Sequence, residues 1–276
     1  MFASASGSGC ETDGLITLHM TNIALVPGVL GFRRIGSIHY FNGVAPHLEQ
    51  TFPGLMVREM TTDPLGTVAD RTRVLALEIV KAFGPAEPVH LIAHSMGGLD
   101  SRFLVAKNVS GVGSRVKTVV SIGTPHLGSP VASLLQRANL LDRFFDFFHI
   151  RGGLLAELRA KVNAAHDLSE EGAAELDRLC PDDPGVRYLE IAGTGREGTS
   201  RTSAFFAPMY RFLNDRVGPN DGMVPLTSAE RGRKLFGTWA ADHADLIGHD
   251  LDRPLRKPTF DHLRAYEDVV RRAVLQ

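Results

Sequence analysis

Short apolar runs rich in β-forming residues alternate with longer stretches of helical periodicity along most of this chain. One helical pattern covers residues 65–83 and ends at a Gly-Pro pair, and another covers residues 260–274. Strands that alternate with helices in this way predict βαβ units, so we expect an α/β fold with a mostly parallel central sheet and helices on both faces. The predicted strands are 22–26, 55–60, 88–93, 116–122, 186–192 and 234–239.

Residues 130–180 break the alternation, because they show helical periodicity and loop character but no strand pattern. Within them, residues 140–150 carry an aromatic density that is found nowhere else in the chain. An inserted helical segment after a core strand fits this region better than a second domain does. We therefore expect a mobile N-terminal tail over residues 1–20 and one domain over 21–276, with a helical lid insertion at about 130–180.

The composition is typical of a soluble globular protein, with 43% hydrophobic residues, 22% charged residues and a formal net charge of -1. This charge balance argues against a nucleic-acid partner, and no apolar run is long enough for stable insertion across a membrane. The first residues, MFASASGSGCETDG, have neither the basic region nor the apolar core of a secretory signal. A cytoplasmic protein is expected, or a secreted one if a signal has been removed. Cys10 and Cys180 lack metal-type spacing and are expected to be free thiols.

The stretch Val-His-Leu-Ile-Ala-His-Ser-Met-Gly-Gly at 89–98 places Ser95 between a predicted strand and a predicted helix. A serine in such a turn has strained backbone angles and needs very small residues two positions away on either side. Ala93 and Gly97 meet this need, although the general pattern has glycine at the first position. An incidental glycine-rich turn is the alternative, but the flanking strand and helix favour a nucleophile. The amide of Met96 lies at a helix N-terminus, where it can stabilise an oxyanion.

A serine nucleophile needs a base and an acid that orients the base, and in this fold class they follow in the order Ser, acid, His. The loop after the last predicted strand offers two histidines. His243 is nearer to the end of the strand and is the predicted base, with His249 as the alternative. The other histidines are expected to be surface, core or cleft-lining residues.

The acid is predicted to be Asp221, in the turn Asn-Asp-Gly between the serine and the base. Asn-Asp-Gly is also ordinary turn chemistry, which is the alternative reading of the same residues. Asp215 and Asp242 are weaker candidates for the acid.

The loop after the first predicted strand, Pro-Gly-Val-Leu-Gly-Phe at 27–32, is expected to supply the second oxyanion donor. Gly28 allows the backbone to approach a substrate closely. The amide of Val29 is the predicted donor, and a glycine turn without a ligand is the alternative.

Taken together, these motifs resemble those of the bacterial true lipases of the Pseudomonas and Burkholderia type, within the α/β-hydrolase superfamily. The likeness runs from about residue 24 to residue 249. The motifs that carry it, in chain order, are the oxyanion loop 27–32, the serine turn 89–98, a strand and loop at 121–129, a segment at 168–174 like the one after the family's lid, Asn220-Asp221-Gly222 and His243-Ala244-Asp245.

The resemblance implies an ester hydrolase with Ser95, Asp221 and His243 as its triad and the amides of Val29 and Met96 as its oxyanion hole. It also implies that residues 130–150 form a lid that opens over a lipid interface, which paired phenylalanines on an amphipathic helix also favour. A core-packed helix is the alternative reading of that segment. The residues expected to line an apolar cleft for acyl chains are Phe32, Leu127, Phe144, Phe145, Phe147 and Phe148.

The chain also departs from the family pattern. Pro27 stands where the family has histidine, and the family's cysteine pair is not recognisable. Members of the family bind a structural calcium through two aspartates, of which Asp245 matches one. The region expected to supply the other, 199–203, offers only Arg201 and hydroxyls. We therefore expect calcium to be absent or weakly bound, with Arg201 pairing with Asp245.

The predicted function is the hydrolysis of carboxylic esters through an acyl-enzyme, by a triacylglycerol lipase that acts on lipid at an oil–water interface and needs no cofactor for the chemistry. A short-chain carboxylesterase, an amidase or a polyester-cleaving relative would use the same triad. A binding protein built on an inactive hydrolase scaffold is the alternative from another class, and the intact nucleophile, acid and base speak against it. The pattern makes no prediction of the oligomeric state.

Overall fold

Six parallel strands form the central sheet of the protein, in a computed structural model that describes residues 20–64, 66–132, 164–196, 201–252 and 260–276. In chain order the strands of this sheet are β1 (Thr21–Val26), β4 (Leu55–Glu59), β5 (Val89–His94), β6 (Val116–Ile122), β7 (Arg187–Gly193) and β8 (Gly237–Trp239). Their spatial order is β4-β1-β5-β6-β7-β8, and each neighbouring pair is parallel. Two short strands, β2 (Arg34–Ile35) and β3 (Ile38–His39), form a separate antiparallel hairpin.

The two faces of the sheet are both buried, because successive side chains of a strand point to opposite faces and each face is covered. In β1, Ile23 and Leu25 belong to one hydrophobic cluster, whereas Ala24 and Val26 belong to another. Strand β1 is therefore apolar at four successive positions, 23–26, rather than at alternate ones. In open parallel sheets covered on both faces, ligands bind at the carboxyl ends of the strands.

Helices cover both faces of the sheet. In chain order the described α-helices are α1 (Val44–Thr51), α2 (Val68–Phe83), α3 (Met96–Ala106), α4 (Ala164–Asp167), α5 (Glu170–Leu179), α6 (Ala207–Val217), α7 (Leu226–Glu230) and α8 (His262–Val269). Residues of α1 and α8 share the cluster that covers one face, and residues of α2 and α3 share the cluster on the other. A turn of π-helix, Val270–Val274, continues α8.

Helix α2 shows how local sequence sets the ends of an element. Thr67 and Asp70 form a capping box, in which each side chain bonds the backbone N–H of the other, so two of the first free N–H groups are satisfied. At the other end Gly84 has a φ of 78°, a value that glycine adopts without steric cost. The helix therefore starts three residues later than the predicted 65–83 and ends at the predicted position.

The predicted α/β-hydrolase fold and its mostly parallel sheet are confirmed, and all six predicted strands are present. The last strand is shorter than the predicted 234–239, because only Gly237–Trp239 pair with β7. The phenylalanines predicted for the lid, most of the insertion and the N-terminal tail lie outside the described residues, so the lid and the domain limits stay predictions. Cys10 also lies outside them, and Cys180 is a buried free thiol.

Across the five ranges that the structure covers, none of the helices has the length and apolarity needed to cross a membrane.

Candidate active site

Ser95 lies in the sharp turn between β5 and α3, at the carboxyl edge of the sheet. Its backbone has φ 55° and ψ −129°, a strained conformation for a residue with a side chain. Gly97 makes this turn possible, because a Cβ atom there would lie 2.6 Å from the carbonyl oxygen of Val26. The predicted strand–turn–helix is therefore present, and it holds the serine hydroxyl above the sheet.

His243 joins Ser95 to Asp221 through its two ring nitrogens. Its Nε2 lies 3.1 Å from Ser95 Oγ, and its Nδ1 lies 2.8 Å from Asp221 Oδ2. A carboxylate oxygen only accepts, so Nδ1 carries the proton and Nε2 accepts from the serine hydroxyl. All three residues are buried, with Asp221 only 1% exposed. The structure thus brings together the three side chains that the sequence singled out.

The turn that carries Asp221 orients its carboxylate toward the imidazole. Asp221 Oδ1 accepts from the backbone N–H groups of Met223 and Val224 at 2.9 and 2.7 Å, which leaves Oδ2 for His243. The main-chain oxygen of Asp221 also accepts from the N–H of His243 at 2.9 Å. The turn is therefore compatible with the predicted acid role, because the turn orients the carboxylate toward His243.

The rival candidates occupy other positions. His249 Nε2 lies within 3.1 Å of the main-chain oxygens of His39 and Tyr40, and Asp215 is exposed on α6. Asp242 is fully buried, and its two carboxylate oxygens accept from backbone N–H groups of other residues. None of these three is hydrogen-bonded to Ser95 or His243 through its side chain.

The predicted oxyanion loop is held by Arg71, a fully buried side chain of α2. Its guanidinium donates to the carbonyl oxygens of Pro27 and Gly28 at 3.1 and 2.9 Å and pairs with buried Asp100 at 2.8 Å. In a trans peptide the carbonyl and the following N–H point to opposite sides. The N–H of Val29 therefore points away from Arg71, on a residue that lines the cleft beside Ser95.

The other predicted oxyanion donor, the N–H of Met96, lies at the start of α3 directly after Ser95. Unpaired N–H groups at a helix N-terminus carry partial positive charge and favour an anion. Gly28 must be glycine, because a Cβ atom there would lie 2.6 Å from Tyr40 Oη and 2.7 Å from Ser95 Cβ. These contacts set how closely the loop approaches the serine.

A chain of buried hydrogen bonds links this loop to the base. Gly28 N–H donates to Tyr40 Oη at 2.8 Å, Tyr40 Oη lies 2.9 Å from His94 Nδ1, and His94 Nε2 lies 3.1 Å from the main-chain oxygen of His243. A carbonyl oxygen only accepts, so His94 is protonated on Nε2 and Tyr40 donates to Nδ1. Burial lowers the pKa of His94 well below its usual value, which keeps the ring neutral.

His94 was expected only to be one of the surface, core or cleft-lining histidines, and Tyr40 was not singled out from the sequence. Nothing in the local pattern around either residue indicates this bond, since they lie 54 positions apart.

A cleft lies over Ser95 and His243, and most of its walls are apolar. Phe32 and Leu127, both predicted to line it, lie elsewhere. Phe32 packs edge-on against Tyr40 with ring centroids 5.4 Å apart, and Leu127 is 44% exposed to solvent. The apolar walls come chiefly from residues that were not predicted to line the cleft: Pro125, Ala132, Leu168, Phe205, Phe206, Met223, Val224 and Ile247.

The calcium implied by the family resemblance does not fit the residues around Asp245. Both carboxylate oxygens of Asp245 accept from the guanidinium of Arg196, at 2.7 and 2.8 Å. The predicted partner was Arg201, but that side chain is exposed and Arg196, five residues earlier, makes the pair. Within the part of the chain that the structure covers, no group of three or more acidic, histidine or cysteine side chains is arranged to hold a metal ion.

Comparisons with known proteins concern the fold and the family resemblance. A family model described as a PGAP1-like alpha/beta domain matches residues 67–151. The triacylglycerol lipase of Pseudomonas fragi is 25% identical over an alignment 266 residues long, which covers 82% of this chain and 87% of that lipase. Triacylglycerol lipase 2 of Saccharomyces cerevisiae is 25% identical over 218 residues, which span 76% of this chain and 62% of the yeast protein.

Among solved structures, the mature lipase BlEst2 of Bacillus licheniformis superposes with a TM-score of 0.63 at 24% sequence identity, covering 86% of this chain and 90% of that one. The sheet, its helices and the serine turn give this chain the α/β-hydrolase fold. Within that fold it is similar to the bacterial triacylglycerol lipases, as its motifs predicted, and these similarities support a serine ester hydrolase of the lipase or esterase type.

Proposed function

We propose that this protein hydrolyses carboxylic esters of lipids, with Ser95 as nucleophile, His243 as base and Asp221 as the acid that orients the base. The observation that carries the proposal is the hydrogen-bonded sequence from Ser95 Oγ through the imidazole of His243 to Asp221, set at the floor of an apolar cleft. Relatives named triacylglycerol lipase support the same substrate class.

The reaction begins when Ser95 Oγ attacks the ester carbonyl carbon and its proton passes to His243 Nε2. The new imidazolium is stabilised by Asp221, whose carboxylate accepts from Nδ1. The negative charge on the former carbonyl oxygen is stabilised by the N–H groups of Val29 and Met96. When the carbon–oxygen bond to the alcohol breaks, His243 Nε2 returns the proton to the leaving oxygen.

The acyl-enzyme is then hydrolysed by the same groups. A water molecule gives a proton to His243 Nε2 and attacks the acyl carbon, and collapse of the second tetrahedral intermediate releases the acid and restores the hydroxyl of Ser95. Each proton is carried by His243, so the proposed chemistry requires no cofactor.

The apolar walls of the cleft favour an acyl chain over a polar acid portion. Phe205, Phe206 and Met223 line the cleft together with Ser95, so an alkyl chain bound there would bury apolar surface of both partners. This supports a lipase or an esterase for apolar esters over an amidase for polar substrates. We also propose that the enzyme acts at an oil–water interface, where the predicted lid would open over the lipid.

The proposal is tested by activity against emulsified triglyceride and against a series of soluble p-nitrophenyl esters from acetate to palmitate, each with and without a chelator. Ser95→Ala is expected to lower turnover by roughly 10⁴- to 10⁶-fold while the melting temperature is kept. Ser114→Ala, at an exposed serine, is the matched control. A lipase turns over the emulsion and the long chains, whereas a short-chain esterase turns over only the short soluble esters.

Undiminished hydrolysis by the Ser95→Ala variant would refute the proposal. A wild-type protein that fails to react with an organophosphonate ester, and that hydrolyses none of the esters, would instead point to a binding protein on a hydrolase scaffold.

A further inference from the structure

Arg196 lies just beyond the carboxyl end of β7, and its side chain is buried with 3% exposure. Its guanidinium contacts carboxylates of the segment that follows β8. Nε and Nη2 form a two-point pair with Asp245, Nη2 also bonds Asp250 at 2.9 Å, and Nη1 bonds Asp252 at 2.7 Å. Asp242 is next to this group, with Oδ2 3.7 Å from Nε. One cation is therefore shared by four aspartates.

Two of these aspartates flank the base. Asp242 and Asp245 lie on either side of His243 in the sequence, and their carboxylates accept hydrogen bonds from the backbone of the turn that carries it. Asp242 Oδ1 accepts from the N–H groups of Ala244 and Asp245, and Asp245 Oδ2 accepts from the N–H of Asp242. The carboxylates that shape this turn are the ones that the guanidinium neutralises.

The same cluster ties the turn to its surroundings. Asp242 Oδ2 accepts from the N–H of Ser203 at 2.8 Å, and Asp252 Oδ1 accepts from the N–H of Ala204 at 3.0 Å. Arg196 thus lies where three segments meet: the end of β7, the loop at 203–204 and the segment 242–252. Without its charge, buried carboxylates would face one another at close range, which is strongly unfavourable in a protein interior.

We infer that Arg196 is a positioning residue for the base, a built-in cation that fastens the turn of His243 in the place where the lipases that this chain resembles use calcium. The inference rests on the proposed function for its catalytic consequence, but its structural consequence stands apart from activity. A guanidinium satisfies several carboxylates through fixed, planar donors, whereas calcium needs six to eight oxygen ligands. In this cluster the donors of Arg196 and of the backbone already occupy both carboxylate oxygens of Asp242, Asp245 and Asp252.

The test compares wild type with Arg196→Met, which keeps an unbranched stem and removes the guanidinium and its charge, and with Arg196→Lys, which keeps the charge and loses the planar donors. Arg216→Met, at an exposed arginine of α6, is the matched control. The measurements are kcat and KM on a soluble p-nitrophenyl ester, the melting temperature, and calorimetric titration with calcium chloride.

For Arg196→Met we expect kcat to fall by about 10- to 100-fold with KM within about twofold, because the base is displaced from Ser95 rather than the cleft altered. We expect the melting temperature to fall by about 10 °C, because four carboxylates lose their counter-charge. Calcium should bind this variant, raise its melting temperature and restore part of kcat. The kcat and melting temperature of Arg196→Lys should lie between those of wild type and Arg196→Met, and those of Arg216→Met should match wild type.

A variant Arg196→Met with the kcat and the melting temperature of wild type would overturn the inference. So would a wild-type enzyme that loses kcat in a chelator and regains it with calcium. If Arg196→Met does not fold, Arg196→Lys decides the matter, since an unchanged kcat there would show that the planar donors are not needed. Failure of the proposed function is recognised separately, because the melting and calcium titrations need no substrate.

Discussion

The ring of His94 is hydrogen-bonded through Nε2 to the main-chain oxygen of His243, 149 positions further along the chain. The same ring accepts from Tyr40, whose hydroxyl in turn accepts from the N–H of Gly28. The loop predicted to stabilise the oxyanion and the loop that carries the predicted base are therefore parts of one buried network. A disturbance at Tyr40 is expected to reach both of them.

Replacing Tyr40 by phenylalanine removes only the hydroxyl from this network. The N–H of Gly28 and the Nδ1 of His94 then lose their partner in a buried place, which we expect to cost about 1–3 kcal/mol of the free energy of unfolding. We also expect kcat to fall by about tenfold with little change in KM, because the Val29 donor is less well fixed. Urea unfolding and ester kinetics measure the two effects. Tyr210→Phe is the control, and equal losses in both variants would contradict the prediction.

The choice between His243 and His249 is settled by replacing each with alanine. His243→Ala is expected to lower kcat by about 10⁴-fold or more, because the proton of Ser95 then has no acceptor. His249 bonds main-chain oxygens at the rim of the cleft, so His249→Ala is expected to cost no more than about tenfold. The measurement is kcat of both variants and wild type on one soluble p-nitrophenyl ester. The assignment of the base fails if the larger loss is found at His249.

Arg71 is expected to control the oxyanion loop through the carbonyls of Pro27 and Gly28. A lysine in its place keeps the charge beside Asp100 but cannot reach the carboxylate and both carbonyls together. We expect Arg71→Lys to lower kcat by about 10²-fold, as the loss of one oxyanion donor does. Arg73→Lys, two residues further on the same helix and 69% exposed, should leave kcat unchanged. Similar kinetics for the two variants would show that the loop holds its shape unaided.

Acid should destabilise the protein through buried histidines. Burial lowers the pKa of His94 and of His126 well below their usual values, so below about pH 6.5 the unfolded chain binds protons there that the native protein does not. The free energy of unfolding should therefore decrease as the pH is lowered, by at most about 1.4 kcal/mol per pH unit for each histidine. Asp100 acts in the opposite direction, since burial raises its pKa to about 6 and the native carboxyl takes up a proton first.

The contribution of one histidine is isolated by His126→Phe. The two ring nitrogens of His126 have no hydrogen-bond partner among the described residues, so an apolar ring there loses no bond. Urea unfolding at about pH 7.5 and about pH 5 gives the change in the free energy of unfolding with pH. In the variant this change should correspond to up to one bound proton fewer than in wild type. Identical slopes in the variant and the wild type would mean that His126 takes up its proton in the native state.

Features that arise within a few consecutive residues could be predicted from the sequence. The turn at Ser95 needs small residues at 93 and 97 because of local sterics, and the strands and α2 follow from residue periodicity and caps. These patterns placed all six strands of the sheet. The order Ser, acid, His then singled out Asp221 and His243, which the structure brings to Ser95, and their catalytic roles remain a prediction.

Other features depend on positions that are distant in the chain. Arg196 rather than Arg201 meets Asp245 because the loop after β7 turns one side chain inward and the other to solvent, and the sequence places both at a similar distance from the base. Likewise Phe205 and Phe206 enter the cleft and Phe32 packs on Tyr40, although all three are equally apolar. Local sterics and periodicity are properties of the sequence itself. Which charges and rings meet is decided only when the elements pack, because burial makes an ion pair or an apolar contact favourable in one arrangement and costly in the next.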